Sequence, residues 1–202
     1  MLSEHKTAAW VREIIETFWQ GPENTLDGAY DERAWDAPLV GFANGADPIW
    51  TQYKEVVGPF HWTPREVVQQ AFPTEPPTPE ALTIISWVLP QTEATKIDQR
   101  ARTVYPAERW ARSRIFGERF NRRLRRHVAA QLTEAGTPAV APMEMPQWET
   151  RDSDAFVYAS TWSERHAAYA AGLGTFGLCD GLITPKGKAM RTGSVVARID
   201  IP

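Results

Sequence analysis

The sequence predicts an α/β or α+β fold, a sheet layered with helices. Three observations carry this: an apolar, β-branched run over residues 82–89, a long helical periodicity over 106–135, and a chain order of helices, strand, long helix, strand, helix, strand, strand. With 202 residues, 43% of them hydrophobic, and 22 Lys+Arg against 25 Asp+Glu, the chain has the balance of one globular unit.

Taken in order, Ser3 is placed to cap a first helix in which Val11, Ile14, Ile15 and Phe18 recur at helical spacing until Gly21-Pro22 stops it. Residues 24–48 alternate aromatic and polar groups around Trp35 and Phe42 and end in the turn-like 44–48; they predict an irregular wall with short helical pieces. A short helix follows over 49–56. Thr63-Pro64-Arg65-Glu66 combines a threonine cap, proline at the first helical position and a glutamate three residues after the cap, so a helix starts there and ends near Phe72. Four prolines within 73–79 predict an extended connector. It divides the chain into a helical and irregular N-terminal lobe, 1–79, and an α/β part, 80–202, which together form one compact unit. Residues 82–89, ended by Pro90, read as a central strand covered on both faces. Pro106 opens the longest helix, with Phe116, Phe120, Leu124, Val128 and Leu132 stepping along one face and Gly117 as a point of division. Strands are expected over 138–142, 178–184 and 194–201, and a helix over 163–171.

Composition removes several chemistries. One cysteine excludes an internal disulfide, a paired CxxC zinc knuckle and an iron–sulfur cluster, which takes about four thiolates. His5, His61, His127 and His166 have no metal-ligand spacing. A net charge of -3 gives no global attraction to nucleic acid or anionic membrane. No basic-then-apolar leader and no apolar run of about 18 residues occurs, so the expectation is a cytoplasmic location and no membrane partner. Nine Trp and sixteen Pro point to an aromatic-rich core or pocket threaded by irregular connections.

Several groupings read two ways. The long helix carries Arg109, Arg112, Arg114, Arg119, Arg122, Arg123, Arg125, Arg126 and His127: either a phosphate-binding face for RNA, or a solvated face paired with acids elsewhere. Residues 172–177 spell G-x-G-x-x-G, but a helix precedes them and a strand follows, the reverse of a dinucleotide site. Gly172 suits the left-handed residue after a helix, whereas Gly174 and Gly177 offer backbone approach to a large flat ligand. Lys186, Lys188 and Arg191 lie in a compact basic loop, a plain surface connection or a grip on carboxylate, amide or phosphate groups. Cys179 reads as a buried structural thiol more readily than as a nucleophile. Glu164 and His166, two apart on a helix, point to different faces and are no ready-made acid–base pair.

Residues 162–177, with Glu164-Arg165, Ala168, Ala171-Gly172-Leu173-Gly174 and Gly177, followed by Leu182-Ile183-Thr184-Pro185 and, one residue sooner than in the pattern, Gly187, resemble the E-R-x-x-A-x-x-A-G-L-G-x-x-G…L-I-(T/S/N)-P-x-x-G segment of the cobalamin-dependent epoxyqueuosine reductase and reductive dehalogenase family. The resemblance extends over roughly 82–202. It implies a nitroreductase-like, corrinoid-binding layered sheet with flanking helices, and an oxidoreductase activity in which reduced cobalamin is recharged by 4Fe-4S clusters. It also implies that Ala171, Gly172, Leu173, Gly174, Gly177, Ile183, Thr184, Pro185 and Gly187 contribute to the cofactor pocket. A corrin is broad, flat and fringed with amides, which suits glycine backbone, aromatic walls and scattered polar donors.

Two departures qualify the expectation. Where epoxyqueuosine reductases carry an Asp-Tyr-His triplet whose aspartate donates a proton, this chain has Arg119-Phe120-Asn121; a cation does not replace that acid, which argues against tRNA epoxyqueuosine reduction itself and against tRNA as a partner. Reductive dehalogenases use a tyrosine with a nearby basic residue, which makes Tyr105, Tyr158 and Lys186 the catalytic candidates. The cysteine-rich segment of the family is absent, so its 4Fe-4S clusters are expected only in a continuation or in an electron-donating partner. The alternatives are a non-catalytic corrinoid carrier or chaperone, and an RNA-binding module using the arginine-rich helix.

Overall fold

The structure, a computed structural model, describes residues 7–27, 31–74 and 77–201. It is a mixed helix-and-sheet fold built on one four-stranded sheet. The strands are β1 (Leu39–Asn44), β2 (Thr83–Pro90), β3 (Ala139–Val140) and, at the end of the chain, β8 (Met190–Ala197), in the order β1-β2-β8-β3 with every neighbouring pair antiparallel. Every residue of β2 is buried, in line with its apolar, β-branched sequence and its place between β1 and β8. The strand also runs through Pro90, which pairs with Met190 at the end of the ladder.

Strand alternation sorts the core into two layers. Ile85, Trp87, Leu89, Val195 and Ala197 face α1 (Ala8–Gln20) and α5 (Glu108–Glu134), where they meet Val11, Ile15, Phe120, Leu124, Val128 and Leu132. The intervening Ile84 and Val196 face the other way, with Trp50 and Tyr53 of α2 (Ile49–Val56), Val67 and Val68 of α3 (Pro64–Ala71), and Ala167 of α6 (Glu164–Ala170). Residues from the first third of the chain are thus in the same clusters as the central strands. Ser86 and Ser194 sit opposite each other in register, on the α6 side of the sheet.

The local signals of the sequence are present at α3, where Thr63 Oγ1 accepts from the Glu66 N–H and Glu66 Oε2 accepts from the Thr63 N–H at 2.8 Å, a reciprocal capping box. The first helix is capped by Thr7; the expected cap, Ser3, lies outside the described residues. Five points differ from what the sequence predicts. Residues 39–44 are a strand and not an irregular wall, because β2 supplies a partner for their whole length. Helix α4 (Glu93–Arg100), capped by Thr92, follows β2 directly. Gly117 does not divide α5, since its carbonyl accepts from Trp35 Nε1 at 3.0 Å and the helix runs unbroken. The expected strand over 178–184 shrinks to β7 (Leu182–Ile183), paired with β6 (Thr175–Phe176), while the last strand begins four residues earlier than predicted, at Met190. A further small hairpin pairs β4 (Thr150–Arg151) with β5 (Ala159–Ser160). Among the described residues no helix is long and apolar enough to cross a membrane.

Candidate functional site

A cavity of about 520 Å³ lies between α6, the β6–β7 hairpin, the start of β8 and the loop of the β4–β5 hairpin. Its walls are aromatic: Trp148, Phe156, Tyr158, Trp162 and Phe176. Trp162, 1% exposed, is fixed from several directions. It stacks on Trp50 with ring centroids 5.5 Å apart and 11° between planes, its Nε1 donates to Ser194 Oγ at 3.0 Å, and its carbonyl accepts from Trp148 Nε1 at 2.9 Å. On the outer side Val157 and Tyr158 are both at least 80% exposed, so the cavity is bounded there by a solvated loop.

The floor is charged. Arg125 reaches it from the buried face of α5 and is 2% exposed. Its Nη2 donates to Glu118 Oε1 at 2.9 Å, its Nε to Glu144 Oε1 at 3.2 Å, and its Nη1 lies 3.7 Å from Glu164 Oε1. Glu118 and Arg125 are two helical turns apart and therefore share a face. Glu164, the first residue of α6, is buried; Ser194 Oγ donates a short hydrogen bond to its Oε2, and its Oε1 has no hydrogen-bond partner. Burial pushes the Glu164 carboxyl up to about 7, against the opposing pull of Arg125 and the Ser194 hydrogen bond. His166, two residues further along the same helix, turns to other partners. Its Nδ1 is 2.8 Å from Ser163 Oγ and its ring meets Tyr53 and Phe176, and burial, with Arg165 adding to it, lowers its pKa to about 4. The two side chains line one cavity without forming an acid–base pair.

The residues singled out in the sequence fall in three places. Tyr158 lines the cavity; Tyr105 is 80% exposed and does not. Lys186 and Gly187 border a smaller hollow of about 280 Å³ with Lys96, Gln99, Arg100 and Trp110. Ala171, Gly172, Leu173, Gly174, Gly177, Ile183, Thr184 and Pro185 do not line the larger cavity; they build the frame that presents Phe176, Asp180, Gly181 and Leu182 to it. Gly172 (φ +72°) closes α6 as expected: its N–H donates to Tyr169 O and the Leu173 N–H to Ala168 O. Leu173 packs with Val88, Ala168 and Leu182. Thr184 Oγ1 donates to Gly187 O at 2.8 Å and accepts from the Lys186 N–H, which fixes the Thr-Pro-Lys-Gly turn around the exposed Pro185.

Gly174 has an internal reason for lacking a side chain. A Cβ there stands 2.5 Å from the Ile183 carbonyl oxygen, across the β6–β7 crossing. Gly174→Val therefore destabilises the chain by about 1–3 kcal/mol, seen as a lower urea midpoint in the ligand-free protein; an unchanged midpoint contradicts this packing. Cys179 is exposed and lies in the turn before β7, not in a strand. Lys188 Nζ, 2.7 Å from its Sγ, holds the thiol below its ordinary pKa.

The arginines of α5 are largely engaged within the chain. Arg109 bonds Glu32 and Asp98, Arg112 bonds Glu108, and Arg122, Arg125 and Arg126 converge on Glu144. Arg119-Phe120-Asn121 does not line the cavity. Phe120 is in the core, and Asn121 accepts from Trp87 Nε1 at 3.0 Å while donating to Thr192 O at 2.9 Å. Among the described residues no group of three or more His, Cys, Asp or Glu is placed to hold a metal. The sequence reading missed the Glu164, Ser194 and Arg125 arrangement; Glu164 was visible only as part of a motif, and Arg125 only as one of many helix cations. No family model matches the chain, and no curated protein matches it.

Proposed function

We propose that the chain is the corrinoid-binding part of a cobalamin-dependent oxidoreductase, with a nitroreductase-like layered fold and electrons delivered by iron–sulfur clusters held outside these 202 residues. The observation that carries the proposal is the origin of the cavity: α6, β6 and β7, which frame it, are the elements formed by the Glu-Arg, Ala-Gly-Leu-Gly and Leu-Ile-Thr-Pro motifs.

The residues present fit such a ligand. Trp148, Phe156 and Phe176 offer apolar aromatic surface, and Arg165, Asp180, Lys188 and Arg191 offer donors and an acceptor suited to peripheral amides. A corrin is larger than the enclosed hollow and would extend past Tyr158 on the open side. When bound and reduced, it supplies low-potential electrons to a substrate. The protein's share is to stack the ligand, anchor its fringe and keep water from the reacting face. Tyr158 and Lys188 border the cavity, whereas Tyr105 and Lys186 lie outside it. Cytoplasmic location belongs to the same proposal.

Hydroxocobalamin mixed with the purified chain is expected to remain bound through gel filtration and to take on a base-off visible spectrum. A chain that elutes colourless, with free cobalamin in the salt volume, overturns the proposal and the carrier alternative together.

A further inference from the structure

We infer that Glu164 is the proton donor of the cavity, presenting a carboxyl hydrogen on Oε1 to an acceptor atom of the bound substrate. Use of that proton in a reduction rests on the corrinoid reading above; its presence on Glu164 does not.

The heavy-atom contacts point to Oε1 as the oxygen that carries the proton. The Trp162 indole N–H donates to Ser194 Oγ, so the Ser194 hydroxyl directs its own hydrogen to Glu164 Oε2. Oε2 is thereby occupied as an acceptor. Oε1 is buried, makes no hydrogen bond within the protein and belongs to a residue that lines the cavity. A buried carboxylate oxygen without a donor is costly, whereas a carboxylic acid at the same place needs only an acceptor, which a ligand brings.

The surrounding charges are compatible with a proton that is held and then released. The titratable groups that share the cavity or its ion cluster with Glu164 are Arg125 and Glu118 of α5, Glu144 of the 142–144 turn, Tyr158, Arg165 and His166, Asp180 and Lys188, and Arg191 of β8. Arg125 is the nearest cation, yet its hydrogen bonds go to Glu118 and Glu144, and it stands 3.7 Å from Oε1. Burial outweighs it and brings the carboxyl to about 7, midway between holding and giving up a proton in neutral solution. In the transfer, the Oε1–H bond breaks as a bond from hydrogen to the substrate's oxygen or nitrogen forms. The electron pair stays on the carboxylate, where Arg125 and the Ser194 hydroxyl stabilise it, and solvent later restores the proton. The transfer itself needs no oxidant or reductant.

Carboxyl ¹³C NMR of the uniformly labelled full chain tests the inference without substrate. One glutamate is expected to titrate near 7, more than two pH units above the ordinary value of 4.5, and this resonance is absent in Glu164→Gln. Ser194→Ala, which removes the hydrogen bond to Oε2, moves the same midpoint upward and supplies the assignment if Glu164→Gln does not fold. A full set of glutamates titrating near 4.5 overturns the inference. Hydroxocobalamin then separates the two readings: a midpoint near 7 with no corrin bound overturns the corrinoid alone, and bound corrin with Glu164 titrating near 4.5 overturns the donor alone.

Discussion

Replacing Arg125 by methionine lowers the stability of the chain by roughly 3–5 kcal/mol, because it removes the cation from a buried ion cluster and leaves the anions in place. The guanidinium is 2% exposed and serves Glu118, Glu144 and Glu164 at once. Glu144 retains Arg122 and Arg126, and Glu118 retains Arg191, but Glu164 keeps only the Ser194 hydroxyl. Methionine fills much of the volume and repairs none of the charge. The loss is a large part of the roughly 5–15 kcal/mol that holds a domain folded, and it is read as a lower urea midpoint with the slope unchanged. Arg123→Met is the control. That side chain is 61% exposed and 3.5 Å from Glu23, so its removal changes stability by no more than about 0.5 kcal/mol. Equal effects from the two substitutions contradict the account.

Acid exposes a second buried group. His61 is fully buried between Tyr53, His166 and Trp162, and neither ring nitrogen has a hydrogen-bond partner. Burial first, then His166 and Lys54, depress its pKa from 6.5 to about 3, with the Trp62 backbone and Glu66 pulling weakly the other way. A base whose pKa is lower in the folded than in the unfolded chain contributes stability that is complete above pH 6.5 and is lost as pH falls toward 3. By pH 4 the loss from His61 amounts to about 3 kcal/mol at 1.36 kcal/mol per unit. Glu164 works in the opposite sense. Its raised pKa gives a contribution that is present below 4.5 and lost as pH rises through about 7, so the two partly cancel in the parent chain. His61→Phe isolates the histidine, since the ring contacts persist and the titration disappears. The stability difference between variant and parent is expected to grow by about 3 kcal/mol in the variant's favour from pH 7 to pH 4; a difference constant over that range refutes it.

The elements legible in the sequence are those specified locally. Thr63-Pro64-Arg65-Glu66 encodes its own helix start, and α5 declares itself by Phe120, Leu124, Val128 and Leu132 on one face. Strand β2 is legible because covering on both faces makes it apolar throughout. What escaped depends on distant partners. Leu39–Asn44 is a strand only because residues 83–88 lie beside it, and nothing in Leu-Val-Gly-Phe-Ala-Asn announces that register. Gly117 resembles a helix breaker until Trp35 is seen over it, where a Cβ comes within 2.5 Å of the indole. The same holds at the site. The glycine motif was legible, but Gly174 answers to Ile183, and the charged floor joins residues 118, 125, 144, 164 and 194, which no spacing rule connects.

The Trp50–Trp162 stack has an optical consequence. Two indoles 5.5 Å apart and nearly parallel couple their transition dipoles, so they absorb as a pair and not as two separate rings. Because Trp162 is among the residues of the cavity wall, that pair lies close to whatever enters. A coloured guest beside it draws off the excitation, and the protein's own near-ultraviolet signal registers occupancy without an added label.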